Sequence, residues 1–382
     1  MEKTINVALI GYKFMGKTHS NAYRQAVAFF DTPVKPVLRV LCGRDRAAAQ
    51  AVADHFGWEE VSADWREVVA RADIDLVDIC SPGNTHRDIA IAAAQAGKHV
   101  YCEKPLGNTL EEARAMWYAA EEAGVVNMVS FNYRRAPAVA LAKKMIEAGA
   151  VGEIRHWRST YLEDWIVDPD FPLVWRLQQG IAGSGALGDM ASHSIDLARY
   201  LVGEIAEVCG LTKTFITERP LPAEMARSGQ ARGPVTVDDA ALFLARFASG
   251  VIGTFEATRM ATGRRSYNHF EINGSRGSLF FNFERMNELQ HFTLDDPTGQ
   301  QGWRTILVTD PANPYVAAWW PPGHGLGYEH TFIHTVVDLL HGIAEGVSPQ
   351  PDFASGTQTQ AVLEAVLRSV QSRTWIKVEK IG

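Results

Sequence analysis

Val7-Ala8-Leu9-Ile10-Gly11-Tyr12-Lys13-Phe14-Met15-Gly16-Lys17-Thr18 is an apolar run that ends in a glycine turn and passes into a helical pattern from Met15 to Phe30. Its letters support two readings. From Gly11 to Thr18 they spell G-x-x-x-x-G-K-T, a phosphate loop whose lysine and threonine would serve a nucleoside triphosphate and its magnesium. Gly11 and Gly16 are equally the first and third glycines of the dinucleotide turn G-x-G-x-x-G, with Lys13 in the middle position. The remainder of the chain decides between them.

Downstream, strand-like and helix-like segments alternate. Strands are expected at Ile5–Ile10, Val37–Cys42, Leu76–Cys80, His99–Cys102 and Asn127–Phe131, with helices at Asp45–Phe56 and Thr85–Ala96 and a short one after Asp64. A further helix has a clear start, because Thr109 and Glu112 form a T-x-x-E capping box and Gly124 stands at its end. Strands that are apolar throughout, with helices between them, imply a doubly wound parallel sheet. After Arg135 the period changes. Two-residue alternation recurs at 154–161, 208–216, 240–247, 251–259, 270–272 and 278–283, with glycine turns at 248–250 and 273–275, the pattern of antiparallel hairpins. The Pro-, Gly- and Trp-rich segment from Asp295 to Gly327 shows no period and reads as a long loop. Helices are expected from about Tyr328 to Ala344 and from Phe353 to Ser372, with a last strand at 374–381. The expectation is a Rossmann domain at 1–131 and an α+β domain with a large, mainly antiparallel open sheet at 132–382.

Composition narrows the function. The 382 residues suffice for two cores, and 37 Lys and Arg against 44 Asp and Glu give a net charge of -7, which disfavours nucleic acid and anionic membranes as partners. The chain runs directly into a strand pattern and has no apolar run able to span a bilayer, so a cytoplasmic protein is expected. Cys42, Cys80, Cys102 and Cys209 form no C-x-x-C pair and read as buried, reduced thiols rather than disulfides or a metal site.

Two stretches carry candidate chemistry. Glu103-Lys104-Pro105 follows the strand ending at Cys102, and the carboxyl ends of strands in a doubly wound sheet are where ligands lie. Gly183-Ser184-Gly185-Ala186-Leu187-Gly188 leads into a helix on which Asp189, His193, Asp196 and Tyr200 share one face and Ala191, Ile195, Ala198 and Val202 another. Asp189 is either the cap of that helix or a partner of the His193 ring. Asp164-Trp165 and Trp175-Arg176, with Tyr133-Arg134, Trp319-Trp320, His324 and Tyr328, offer indole faces and hydrogen-bonding groups suited to sugar rings; packing between the two domains is the other explanation.

Together I-G-Y-K-F-M-G, S-P-G-N-T-H at Ser81–His86, G-K-H-V-Y-C-E-K-P at Gly97–Pro105 and G-D-M-A-S-H at Gly188–His193 resemble the Gfo/Idh/MocA oxidoreductases, a family that includes glucose-fructose oxidoreductase and inositol dehydrogenase. Asn132–Arg135, Ala182–Asp189 and the D-W and W-R pairs look most similar to its anhydrosugar-oxidising members. The resemblance implies a dehydrogenase that oxidises a secondary hydroxyl of a sugar, anhydrosugar or cyclic polyol with NAD(P). It implies a catalytic trio of Lys104, Asp189 and His193 and no metal. Histidine, with an ordinary pKa of ~6.5, suits removal of a hydroxyl proton. Cofactor contacts are implied at Gly11, Lys13, Phe14, Met15, Gly16, Gly43, Arg44, Ser81, Pro82, Asn84, His86, Glu103, Lys104, Trp175 and Arg176. Substrate contacts are implied at Tyr133, Arg134, Trp165, Arg176, Asp189, His193 and Tyr328. After the second strand, Gly43-Arg44-Asp45 leaves room and a cationic fork for a 2′-phosphate, a slight lean to NADP, although Asp45 turned inward would receive NAD. A phosphate-loop protein would instead need an acidic metal ligand at a strand end, and Asp78 is followed by more strand. A dinucleotide-binding sensor without turnover is the third reading. The second domain's sheet suggests a homodimer or homotetramer.

Overall fold

A computed structural model describes residues 3–222 and 231–381. The chain divides into two compact units, one holding the chain up to Arg135 with Gly327–Gln360, the other Ala136–Leu326 with Ala361–Ile381.

In the first unit β1 (Thr4–Ile10), α1 (Phe14–Phe29), β2 (Lys35–Cys42), α2 (Arg46–Phe56), β3 (Glu60–Ser62), α3 (Trp65–Val69), β4 (Leu76–Ile79), α4 (His86–Gln95), β5 (His99–Cys102), α5 (Leu110–Ala123) and β6 (Asn127–Val129) follow in order. The six strands pair in the order β3-β2-β1-β4-β5-β6, all parallel. Val7, Ala8, Leu9, Leu76, Val77 and Ile79 are wholly buried, as strands covered on both faces must be. Strand order reverses between β1 and β4, which opens a crevice at their carboxyl ends. Gly11 turns there with φ +112°, and an added Cβ would lie 2.7 Å from the Cys80 carbonyl after β4. A Cβ on Gly16 would lie 2.0 Å from the Gly11 oxygen, so this turn admits glycine alone at both places.

The second unit contains α6 (Pro137–Glu147), β7 (Ile154–Glu163), α7 (Gln179–Ala182), a π-helical turn (Leu187–Ala191) running into α8 (Ser192–Leu201), then β8 (Ile205–Lys213), β9 (Glu218–Pro220), β10 (Arg232–Pro234), β11 (Ala240–Phe247), β12 (Ile252–Thr258), β13 (Arg265–Gly274), β14 (Gly277–Asn282), β15 (Glu288–Thr293) and β16 (Arg304–Leu307). After these come α9 (Tyr328–Glu345), which belongs to the first unit, α10 (Phe353–Ser372), and the two-residue β17 (Ile376–Lys377). The large sheet has nine strands in the order β16-β15-β14-β13-β7-β12-β11-β8-β17. Its neighbours are antiparallel except β7 and β12. Trp157, Phe243, Phe255, Phe270 and Phe281 are buried on one face of this sheet.

The Asp295–Gly327 segment is not all loop, since β16 within it pairs with β15. The compact units also differ from a cut after residue 131, because Gly327–Gln360 packs with the first unit. There the Asn132 amide donates to Thr331 Oγ1 at 2.7 Å, Arg135 pairs with Asp338 at 2.8 Å, and Phe332, Val336, Leu339 and Leu340 are buried.

Candidate active site

The glycine turn delivers an open helix start. Lys13 is the N-cap of α1 and makes no side-chain cap bond, and the first turn holds no acidic residue. By contrast Asp45 caps α2 at Ala48 N, Asp64 caps α3 and Thr109 caps α5. The first amides of α1 and the positive end of its dipole are therefore left to an external anion, the fit a dinucleotide pyrophosphate requires. Thr18 Oγ1 donates to the Phe14 carbonyl at 3.0 Å and Lys17 is exposed on the helix, so neither is arranged as a phosphate-loop ligand. Lys13 and Phe14 are exposed, Met15 is half-buried, and the Phe14 ring stacks on Tyr328 with centroids 6.3 Å apart.

Around Gly43 the geometry differs from the sequence expectation. A Cβ there would meet the Tyr12 ring at 2.2 Å, so the space belongs to Tyr12. Asp45 is engaged as a cap, and Arg44 is exposed. Nothing in this arrangement supports the lean to NADP.

Between β4 and α4, Ser81 Oγ bonds Thr85 Oγ1 at 2.7 Å, Pro82 accepts from Thr85, and Asn84 is exposed. His86 is buried, with Nε2 2.9 Å from the Ser81 carbonyl and Nδ1 3.2 Å from that of Pro105. Burial holds its pKa below the ordinary value, and the ring ties the Ser81 turn to the turn that bears Lys104. Tyr133 and Arg134 lie in a buried turn, Arg134 reaching Ser355 Oγ at 3.4 Å.

Behind Lys104 stands a buried charge network that sequence reading missed. His19 Nδ1 is 2.9 Å from Asp78 Oδ2 and His19 Nε2 is 3.0 Å from Glu103 Oε1. Tyr23 donates to Asp78 at 3.0 Å, and Cys80 Sγ lies 3.2 Å from His19 Nδ1. Burial alone would push the His19 pKa down, but the Asp78 and Glu103 carboxylates overcome it and raise the value to about 10. The available signal was Asp78, a charge within the otherwise apolar Leu76–Ile79, which must find a partner. A pH dependence follows. Relative to the ordinary value of 6.5, the raised folded value means the native chain holds one proton more than the unfolded chain between about pH 6.5 and about pH 10. This stabilisation is complete below pH 6.5 and declines toward pH 10, at about 1.4 kcal/mol per pH unit. Denaturant unfolding at a series of pH values should show that slope in the wild type and its loss in His19→Gln.

In the second unit, Asp238 rather than Asp189 caps the helix bearing Asp189 and His193. Its carboxylate accepts from Gly185 N at 2.7 Å and Leu187 N at 2.8 Å, and a Cβ on Gly185 would lie 1.7 Å from its carbonyl oxygen. Burial raises the Asp238 pKa. Asp189 lies on the π-turn and His193 on α8, so the even four-residue step expected from sequence is altered between them, and π-turns recur at functional sites. Nor is the helix two-faced, since Ser192–Ala198 are all buried. The Asp189 side chain is 31% exposed while His193 is 5% exposed, with the Tyr161 ring 6.1 Å from it. Arg259, fully buried and also missed from sequence, connects the candidates. Its guanidinium stands 4.0 Å from Asp189 Oδ2, donates to the Arg176 carbonyl at 3.3 Å, and lies 5.5 Å from the Trp165 ring. Arg176 itself covers the Trp175 ring at 4.4 Å.

A family profile described as "Oxidoreductase family, NAD-binding Rossmann fold" matches residues 5–131, and one described as "GFO/IDH/MocA C-terminal domain" matches residues 139–280. The chain belongs to the Gfo/Idh/MocA oxidoreductase family. This Gfo/Idh/MocA chain is 48% identical over 389 residues to levoglucosan dehydrogenase of Pseudarthrobacter phenanthrenivorans, covering 100% of both chains. Among solved structures it resembles an oxidoreductase domain protein from Kribbella flavida (53% identity, TM-score 0.95, covering 100% of both chains). It also resembles levoglucosan dehydrogenase in complex with NADH and levoglucosan (48% identity, TM-score 0.95, covering 99% and 100%). The Gfo/Idh/MocA assignment makes the chain an oxidoreductase with an NAD-binding Rossmann domain and sets aside the phosphate-loop reading. Among the described residues no helix is long and apolar enough to cross a membrane.

Proposed function

We propose that the enzyme oxidises a secondary ring hydroxyl of a levoglucosan-like anhydrosugar or related pyranose to a ketone, with NAD+ as oxidant. The observation that carries this reading is full-length identity of 48% to a levoglucosan dehydrogenase. The solved complex of that enzyme with NADH and levoglucosan supports it. His193 takes the hydroxyl proton on an imidazole nitrogen, and Asp189 supports the imidazolium that results. Lys104 holds the reacting oxygen as negative charge gathers on it. Bound nicotinamide supplies the acceptor for the hydride leaving the carbinol carbon. The open start of α1 holds the pyrophosphate, with Gly11 and Gly16 keeping the approach clear.

Purified protein incubated with NAD+ or NADP+ and a panel of pyranoses, anhydrosugars and inositols, followed by absorbance of the reduced cofactor, tests this. The expected result is turnover of an anhydrosugar with kcat/KM for NAD+ at least tenfold above NADP+, equivalent to about 1.4 kcal/mol. Absence of turnover with every member sinks the reading in favour of a silent binding protein, and a preference for NADP+ sinks the cofactor part.

The enzyme assembles through the outer face of its nine-stranded sheet. Leu211, Leu242, Leu244 and Ile252 stand exposed there, with Leu242 paired opposite Leu211, and an apolar strip of this kind seeks cover from a second copy. Light scattering should find a dimer or tetramer for the wild type and smaller species for Leu244→Glu; equal masses would refute this assembly.

A further inference from the structure

We propose that His19 is a positioning residue for Lys104: clamped between Asp78 and Glu103, its ring fixes the Glu103 carboxylate, which in turn fixes the backbone from which Lys104 projects. The proposal rests on the catalytic reading of Lys104. His19 is fully buried on α1 and therefore acts only through its neighbours.

The geometry is a fork. Glu103 Oε1 meets His19 Nε2 at 3.0 Å, and Glu103 Oε2 accepts from the Lys104 backbone N–H at 3.1 Å. One carboxylate thus joins the helix of the glycine turn to the first atom of the lysine. The opposite side of the ring is held just as firmly, by Asp78 at 2.9 Å, which is itself held by Tyr23. Tyr101 stacks on the ring at 4.8 Å, and Phe332 lies 5.5 Å away. The titratable groups against the imidazole are Tyr23 on its own helix, Asp78 and Cys80 at the end of β4, and Tyr101 and Glu103 at the end of β5, with the buried Cys102 thiol beside the two carboxylates. Two carboxylates this close in an apolar interior repel each other, and the imidazolium between them removes that repulsion. Burial pulls Glu103 upward, but the His19 bond and charge, with the Lys104 charge, hold it below the ordinary carboxylate range. It remains an ionised acceptor. A backbone displacement of about 1 Å at a catalytic group costs on the order of 10²-fold in rate, which is the scale on which such a brace acts.

A brace for Lys104 and a bolt for the fold predict different results. In His19→Ala, kcat should fall by about 10- to 100-fold while the NAD+ Kd and sugar KM stay near wild type, and His19→Gln, which keeps one amide donor, should recover part of the loss. In a Lys104→Ala background His19→Ala should remove nothing further from the single-turnover rate, because both changes act on one group. Amide hydrogen exchange, which needs no substrate, should rise in the peptide around Glu103–Leu106 while β1 keeps its protection. Unchanged kcat and exchange, an equal loss in both backgrounds, or exchange rising throughout the first unit would overturn the proposal. Wild-type turnover in Lys104→Ala alone would instead overturn the role given to the lysine. Should His19→Ala fail to fold, Glu103→Gln cuts the same connection nearer the lysine, and it must show the same kcat-selective loss and local exchange for the proposal to stand.

Discussion

Replacing Lys104 with alanine is expected to lower kcat by about 10²- to 10³-fold, the usual cost of removing one donor from a developing oxyanion, with NAD+ affinity largely kept. The separation of effects follows from where the parts sit. The turn proposed to receive the pyrophosphate is built around Gly11 and Gly16 after β1, against the Cys80 carbonyl after β4, whereas Lys104 follows β5. The lysine follows β5, its backbone N–H bonded to Glu103 and its neighbour Pro105 bearing the carbonyl that faces His86. His193→Ala should lose about 10²- to 10⁴-fold by removing the proton acceptor, again without loss of cofactor. Steady-state rates paired with NAD+ titration by protein fluorescence check both. Wild-type turnover in the two variants would end the assignment of the trio.

A comparably large effect is expected on stability from Asp78→Ala. The carboxylate is wholly buried and receives the His19 ring, the Tyr23 hydroxyl and a contact from Cys80 Sγ at 3.5 Å. Its removal takes away the stronger of the two charges that keep the buried His19 ring protonated, leaves one ring nitrogen without its partner and strands the tyrosine hydroxyl. Breaking a buried pair from one side costs about 3–5 kcal/mol, a large share of a typical domain's stability. Urea unfolding should show the midpoint falling accordingly. Asp78→Asn, which retains an acceptor of the same shape, should cost less, and equal stability of Asp78→Ala and wild type would mean the network contributes nothing.

Much of the first unit was legible because its physics is local. Apolar strands, the glycine turn, the Thr109 cap and Gly124, which adopts φ +62°, each announce themselves within a few residues. β3 escaped notice, being three residues of which none is apolar but Val61. The candidate trio was visible as motifs, whereas its supports were not. His19, Asp78, Arg259 and Asp238 act across 59 residues in one case and 51 to 53 in another, and no spacing rule joins residues that only the fold makes neighbours. The start of the π-turn was invisible for a related reason: Asp238, which holds the amides of Gly185 and Leu187, lies outside the segment. Arg259 looked like the end of a strand, and its full burial alone reveals its part.

The return of α9 to the first unit bears on the order in which the protein is made. A ribosome releases β1 through β6 early, yet Thr331, Phe332 and Asp338, which complete the packing around Asn132, His19 and Arg135, emerge some two hundred residues later. The nascent dinucleotide-binding half must therefore wait, with part of its apolar surface uncovered, until the second unit has been synthesised. A chain cut after residue 135 reproduces that waiting state permanently, and its solubility will depend on whether Gly327–Gln360 is supplied as a separate peptide.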